Sequence, residues 1–174
     1  MPEDLTLLTG LLTGTCSAKK AAAAAETSQR FAGGGTEERE MRAVNEVLME
    51  IHVTILDAVD VEGARQKVVM IPFTAEAEGP YFTGKTTGPC VDTQRIDREG
   101  KTHLSARYML EGRDAAGNMC RVFVENQGTW ETGFVPTIVT DSPLLADWET
   151  AALKATVEGV PGGVLVRISR ANEK

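Results

Sequence analysis

The stretch VNEVLMEIHVTIL, residues 44–56, decides the fold. Val47, Met49, Ile51, Val53 and Ile55 recur at every second position, with Glu50, His52 and Thr54 between them. A helix would scatter these apolar residues around its circumference. Period two gathers them on one side of an extended chain, so the segment predicts a long strand with one buried face.

Downstream the same chemistry repeats. Strand-like runs are expected at 65–73, 80–88, 91–97, 102–110, 119–126, 137–141, 153–158 and 164–169. Turn residues separate them: Glu78-Gly-Pro80, Gly88-Pro89, Glu99-Gly100, Asp114-Ala-Ala-Gly-Asn118 and Pro161-Gly-Gly163. Eight to ten short strands with no amphipathic helix between them predict an all-β sandwich or a single closed antiparallel barrel, and closure is the simpler protection for strand edges. One helical turn is expected within 141–148, capped by Asp141 or Ser142 with Pro143 in its first turn, plugging a barrel end.

Upstream the composition changes. Residues 1–43 combine a Thr/Leu/Gly segment, an alanine run from Ala21 to Ala25, three glycines at 33–35 and a charged stretch. They read as an N-terminal extension, flexible or partly helical, because so short an alanine helix is marginal without docking. The domain proper is expected over 44–174.

Composition narrows the function. Eighteen Lys and Arg against 25 Asp and Glu give a net charge of −7, with no basic cluster to neutralise phosphates, so nucleic acid is not an expected partner. The apolar run Leu5–Leu12 is too short to span a bilayer and is preceded by Glu3 and Asp4 where a signal peptide needs positive charge, so no membrane association is expected. Cys16, Cys90 and Cys120 are odd in number and lack CxxC spacing, which fits a reducing cytoplasm.

Residues 71–129 also carry a set of spaced motifs. These are Gly79-x-x-Phe82-x-Gly84, Cys90-x-Asp92, Leu104-x-Ala-Arg-Tyr108, Asp114-x-x-Gly117 and Asn126-x-Gly128, followed by a closing segment, 136–168, with Trp148 in a helical turn. The pattern resembles the domain-of-unknown-function family numbered 3237 over about three-quarters of the chain. What the resemblance implies is a small barrel of calycin-like shape, with no activity attached. Pro89-Cys90 stands where that family's pattern has glycines, and the N-terminal extension has no counterpart in it.

A small barrel fills its interior or holds one small ligand, and a few inward polar groups then set specificity. Asp92 and Gln94 share a strand face. Arg107 shares one with His103, Ser105 and Met109, so Arg107 and Tyr108 cannot both face inward. The reading adopted here turns Arg107 inward, with Asp92 or Glu125 as the counter-charge a buried guanidinium requires; the alternative is a solvated or rim-paired arginine. Asp92, Arg107 and Glu125 are thus the expected catalytic set, able to bind a carboxylate or polarise a carbonyl. Gln94, His103, Asn126, Trp130 and Trp148 are the expected ligand-binding residues, although Asn126 equally suits a turn and the tryptophans the core.

Sharper mechanisms fail on inventory. Two histidines without acidic partners at ligand spacing do not predict a metal site, and no GxSxG, P-loop or dinucleotide fingerprint occurs. The expectation is a cofactor-independent barrel that binds a small organic molecule, with acid/base or isomerase-type chemistry in its pocket. The alternative is a non-catalytic barrel acting in self-association or partner binding, and an exposed apolar strand would let it form a homodimer.

Overall fold

The computed structural model describes residues 46–171, and the extension expected over 1–43 lies outside the described residues. Nine strands follow one another: β1 (Val47–Ile55), β2 (Val59–Glu62), β3 (Gln66–Glu78), β4 (Phe82–Asp97), β5 (Thr102–Asp114), β6 (Met119–Thr129), β7 (Gly133–Thr140), β8 (Leu153–Val160) and β9 (Gly163–Arg170). Every pairing is antiparallel. The sheet runs β1-β9-β8-β7-β6-β5-β4-β3, and β3 then pairs back with β1 to close an eight-stranded barrel. No described helix is long and apolar enough to cross a membrane.

Closure depends on β3. Its first half pairs with β2, from Lys67 against Glu62 to Met70 against Val59. Its second half pairs with β1, from Phe73 against Ile55 to Glu78 against Glu50. Its ladder to β4 shifts between Pro72 and Glu76, the kind of irregularity where a strand tolerates proline.

Several expected boundaries move. The runs 80–88 and 91–97 form one strand, β4, because Gly88-Pro89 makes a bulge rather than a turn. Gly88 adopts φ 72°, and the ladder to β5 shifts between Thr87 and Val91 while both flanks stay paired. A bulge also alters β1: the register slips between Val47 and Met49, so Leu48 is buried and Val47 is exposed, against the expected alternation. Strand β2 was not expected, since VDVE carries too few apolar residues to declare itself. The single helical turn is present as the 3₁₀ segment Ala146–Glu149, but neither Asp141 nor Ser142 caps it. Its cap residue is Leu145, with no side-chain cap bond, and Pro143 lies in the preceding turn.

The interior is closed at one end and opens towards the other. At the closed end Leu48, Met49, Phe82, Leu110, Val122, Leu145, Trp148 and Ile168 are all at most 2% exposed. Gly84 and Gly112 pair beneath Phe82, and a Cβ on Gly84 would strike its ring. Along β1, β8 and β9, successive inward residues become more accessible towards the opposite end, as where Met49 and Ile51 are sealed whereas Val53 and Ile55 are not; on β5, Leu110 and Tyr108 are buried and Ala106 and Leu104 partly accessible, before Thr102 is buried again.

One polar tether seals the closed end. Asp114 Oδ1 accepts the backbone N–H groups of Ala116 and Asn118, each at 3.0 Å, and Ser142 Oγ donates to Oδ2 at 2.8 Å. The turn between β5 and β6 is thereby tied to the segment leading into the 3₁₀ turn, where Trp148 packs edge-on against Tyr81 with ring centroids 6.2 Å apart. Burial pushes the Asp114 pKa up, but the hydrogen bonds from Ser142, Asn118 and Ala116 outweigh it and hold the carboxyl below its ordinary range.

Two outcomes follow for stability. Ser142→Ala leaves a buried acceptor short of a donor and is expected to cost about 1–3 kcal/mol in urea unfolding. Because the folded-state pKa of Asp114 is lowered, its contribution is complete above the unfolded value of about 3.9 and disappears as pH falls through the folded value. The melting-temperature gap between wild type and Asp114→Ala is therefore expected to be large at neutral pH and to narrow in strong acid.

Candidate lumen site

The open half of the barrel is lined in cross-strand rows. The ladders align Ile71 with Asp92, Asp92 with Ala106, Ala106 with Asn126, and Asn126 with Pro136, so these five residues form one interior row. The row nearer the closed end contains Tyr108, Val124 and Ile138, with Cys90 of the bulge buried beside them. The row nearer the mouth holds Val69, Gln94, Leu104, Gly128 and Phe134. Ala106 is the smallest side chain of the interior row, whereas Gly128 is set by close strand approach, since a Cβ there would strike the Gly133 backbone.

Asp92 and Asn126 flank Ala106 on the interior row. Gln94 Nε2 donates to Asp92 Oδ2 at 2.9 Å. The other carboxylate oxygen, Oδ1, is buried without a hydrogen-bond partner among the described residues, and so is Asn126 Oδ1 on a residue only 6% exposed. Burial raises the Asp92 pKa above its ordinary value, outweighing the hydrogen bond from Gln94 and the interaction with the Ser105 backbone that favour the anion. Tyr108 packs edge-on against Phe73, with centroids 5.5 Å apart. Burial, with a smaller contribution from Cys90, pushes its hydroxyl well above the usual phenol range, so it remains a neutral donor.

The expected inward Arg107 is corrected. Leu104, Ala106, Tyr108 and Leu110 occupy the inner face of β5, which puts His103, Ser105, Arg107 and Met109 outside. Four consecutive inward positions that are apolar or aromatic decide the orientation, because turning the strand over would bury a guanidinium and expose Leu110 and Tyr108. Arg107 does find Glu125, its direct cross-strand neighbour, at 2.6 Å, but on the outer surface, where its own side chain is 64% exposed. Glu125 therefore leaves the lumen with it, and His103 is exposed on the same outer face.

The remaining expected residues divide between the ends. Asp92, Gln94 and Asn126 come together in the lumen, and Asn126 is not spent on the turn that follows. Trp130 lies at the open rim, edge-on to Phe134 with centroids 5.2 Å apart and 41% exposed. Trp148 fills the closed end, edge-on to Tyr81. Of the two residues that compete for the inward position, Tyr108 and not Arg107 takes it, as the alternation Leu104, Ala106, Tyr108, Leu110 signals.

Solved structures share the fold. A protein of unknown function from Clostridium acetobutylicum aligns with a TM-score of 0.63 and 22% identity over 73% of this chain and 98% of its own. A β-barrel-like protein from Acinetobacter baumannii aligns with a TM-score of 0.61 and 16% identity over 72% and 94% of the two chains. An enzyme from Penicillium herquei aligns with a TM-score of 0.57 and 14% identity over 71% and 92%. No protein-family model matches the sequence, and neither does any curated protein. At these identities the likeness establishes a small antiparallel β-barrel and nothing about its chemistry.

Two substitutions separate the faces. Arg107→Ala removes an exposed ion pair and is expected to change stability by less than about 1 kcal/mol. Asp92→Asn removes a carboxylate that is costly to keep ionised in the fold. The raised folded-state pKa means wild type carries this cost above that pKa and sheds it as pH falls through it. Urea unfolding is expected to find Asp92→Asn more stable than wild type near neutral pH, with the gain vanishing near pH 4.

Proposed function

We propose that the barrel binds a small organic molecule in its open half and that Asp92 exchanges a proton with it. The observation that carries this reading is the pairing of two buried, unpartnered acceptors, Asp92 Oδ1 and Asn126 Oδ1, on one interior row above the small side chain of Ala106. Buried polar atoms in folded proteins are satisfied almost without exception, so two unpartnered acceptors on one interior row favour a donor brought by a bound molecule. A raised carboxyl pKa brings Asp92 nearer to neutral pH, where it can both take up and return a proton. Tyr108, neutral and one row deeper, is placed to donate to a carbonyl oxygen, the role first expected of Arg107. Carbonyl-bearing molecules fit this arrangement better than carboxylates, since the anion has lost its guanidinium.

The chemistry supported is acid/base transfer of the isomerase type. Asp92 removes a proton from an acidic C–H or O–H of the ligand and redelivers it to another atom of the same molecule, so no other reactant is consumed. Membership of the family numbered 3237 belongs to the same proposal and is carried by the motif spacings in the sequence. A second reading, a barrel acting through its surface as in a homodimer, draws on Val59, Val61 and Met70, exposed by 64%, 64% and 45% on one outer face of β2 and β3.

A thermal-shift screen of small carbonyl compounds, phenols and lactones tests the lumen reading, because a ligand at a hundred times its Kd adds about 2.7 kcal/mol to the folded state. Hits are expected to disappear in Ala106→Phe, which fills the space, and to persist in Arg107→Ala. Turnover of a reactive hit should fall about 10²–10⁴-fold in Asp92→Asn. Shifts that survive Ala106→Phe would place binding elsewhere and end the proposal.

A further inference from the structure

The unpartnered acceptors also constrain the ligand. Asp92 and Asn126 sit on β4 and β6 with β5 between them, so two strand spacings of about 4.8 Å each separate their backbones. None of their in-row neighbours brings a side-chain donor: Ile71, Ala106 and Pro136 are apolar, and Pro136 lacks even a backbone N–H. Gln94, the nearby amide, already donates to Asp92 Oδ2. The in-row side chains thus give neither Oδ1 atom a donor, and a ligand reaching this row would have to offer one to each.

We infer that the lumen selects a neutral molecule with two hydroxyl or N–H donors set apart by a ring, one directed at Asp92 Oδ1 and the other at Asn126 Oδ1. This rests on the lumen-binding reading above and adds the class of ligand to it. Donors on adjacent atoms would converge too closely to serve acceptors on opposite sides of a strand. An anionic carboxylate offers only acceptors and would face the Asp92 carboxylate directly, leaving both protein oxygens unpaired. Discrimination of this kind is steep, because a site built to receive hydrogen bonds penalises an isostere that cannot give them. The neighbouring Phe73 and Tyr108 rings and the Trp130–Phe134 pair at the rim offer flat apolar surfaces suited to the ring between the donors.

Calorimetric titration of the whole protein with resorcinol, 1,3-dimethoxybenzene and benzoate tests this, since the three probes share a ring and differ in donors and charge. Resorcinol is expected to bind at least about tenfold more tightly than either of the others, the weight of one hydrogen bond to a buried acceptor. Asn126→Leu, similar in volume but without the acceptor, is expected to lose about tenfold for resorcinol and nothing for the dimethyl ether. If that variant does not fold, the wild-type comparison of the three probes decides alone. Binding of the ether or of benzoate as tightly as resorcinol overturns the inference, and so does silence towards all three. In either case the lumen reading is judged separately: a screened compound whose shift is lost in Ala106→Phe but which carries no donor keeps that reading and removes this one.

Discussion

Six residue pairs between β1 and β3, from Phe73 against Ile55 to Glu78 against Glu50, turn an open meander into a barrel. Without them the sheet would end in two long unpaired edges and expose the apolar face of VNEVLMEIHVTIL. The cost of closure falls on β3, which must leave β2 and meet β1 within one strand. The irregularity between Pro72 and Glu76 accommodates that bend, and backbone continuity across it is visible where Leu56 N–H donates to the Pro72 carbonyl at 2.9 Å. Once the ring is closed, the alternation of each strand fixes which side chains face inward, so the contents of the lumen follow from register alone.

Closure also makes the two ends unequal. The 3₁₀ turn sends Leu145 and Trp148 into one end, and Tyr81 is held beside them by its hydrogen bond to Glu46 and its contact with Trp148. Ion pairs between Arg170 and Asp147 and between Arg167 and both Glu50 and Glu158 lie along the outside and keep charge out of the interior. At the other end the strands are joined by hairpins whose tips are polar, such as Asp97 accepting the N–H groups of Glu99 and Lys101, and no comparable plug is present among the described residues. The polar side chains of the inner face towards this end are Gln94, Asp92 and Asn126.

Much of this was legible from residue order. Period-two alternation located β1, β5, β6 and β9, and the turn residues placed most hairpins, because these features are local. The site was half legible. Asp92, Gln94 and Asn126 are legible as polar candidates in the sequence, but the orientation of Arg107 is not, because it is settled by the burial cost that favours its aromatic neighbour. The bulge at Gly88 was read as a turn since sequence shows a breaker but not whether pairing resumes beyond it. Strand β2 could not be read at all: VDVE is held only by its ladder to β3, a tertiary effect. That Trp148 plugs one end while Trp130 guards the other likewise depends on topology rather than composition.

Two aspartates on the inner face show how the same side chain is put to opposite uses. Asp114, at the closed end, accepts hydrogen bonds on both oxygens from Ala116, Asn118 and Ser142, so its charge is welcome and it works as a fastener. Asp92, at the open end, has one oxygen held by Gln94 and the other buried without a partner, so its charge is opposed by its surroundings. A protein gains nothing structurally from the second arrangement: leucine or asparagine there would fold more easily. A residue that costs stability where it stands and shares its row with another unsatisfied acceptor is the ground on which the proposed lumen site rests. The contrast is internal to one barrel, with fold, solvent and side-chain type held constant, which leaves the neighbourhood of each carboxylate as the variable that sets the two apart.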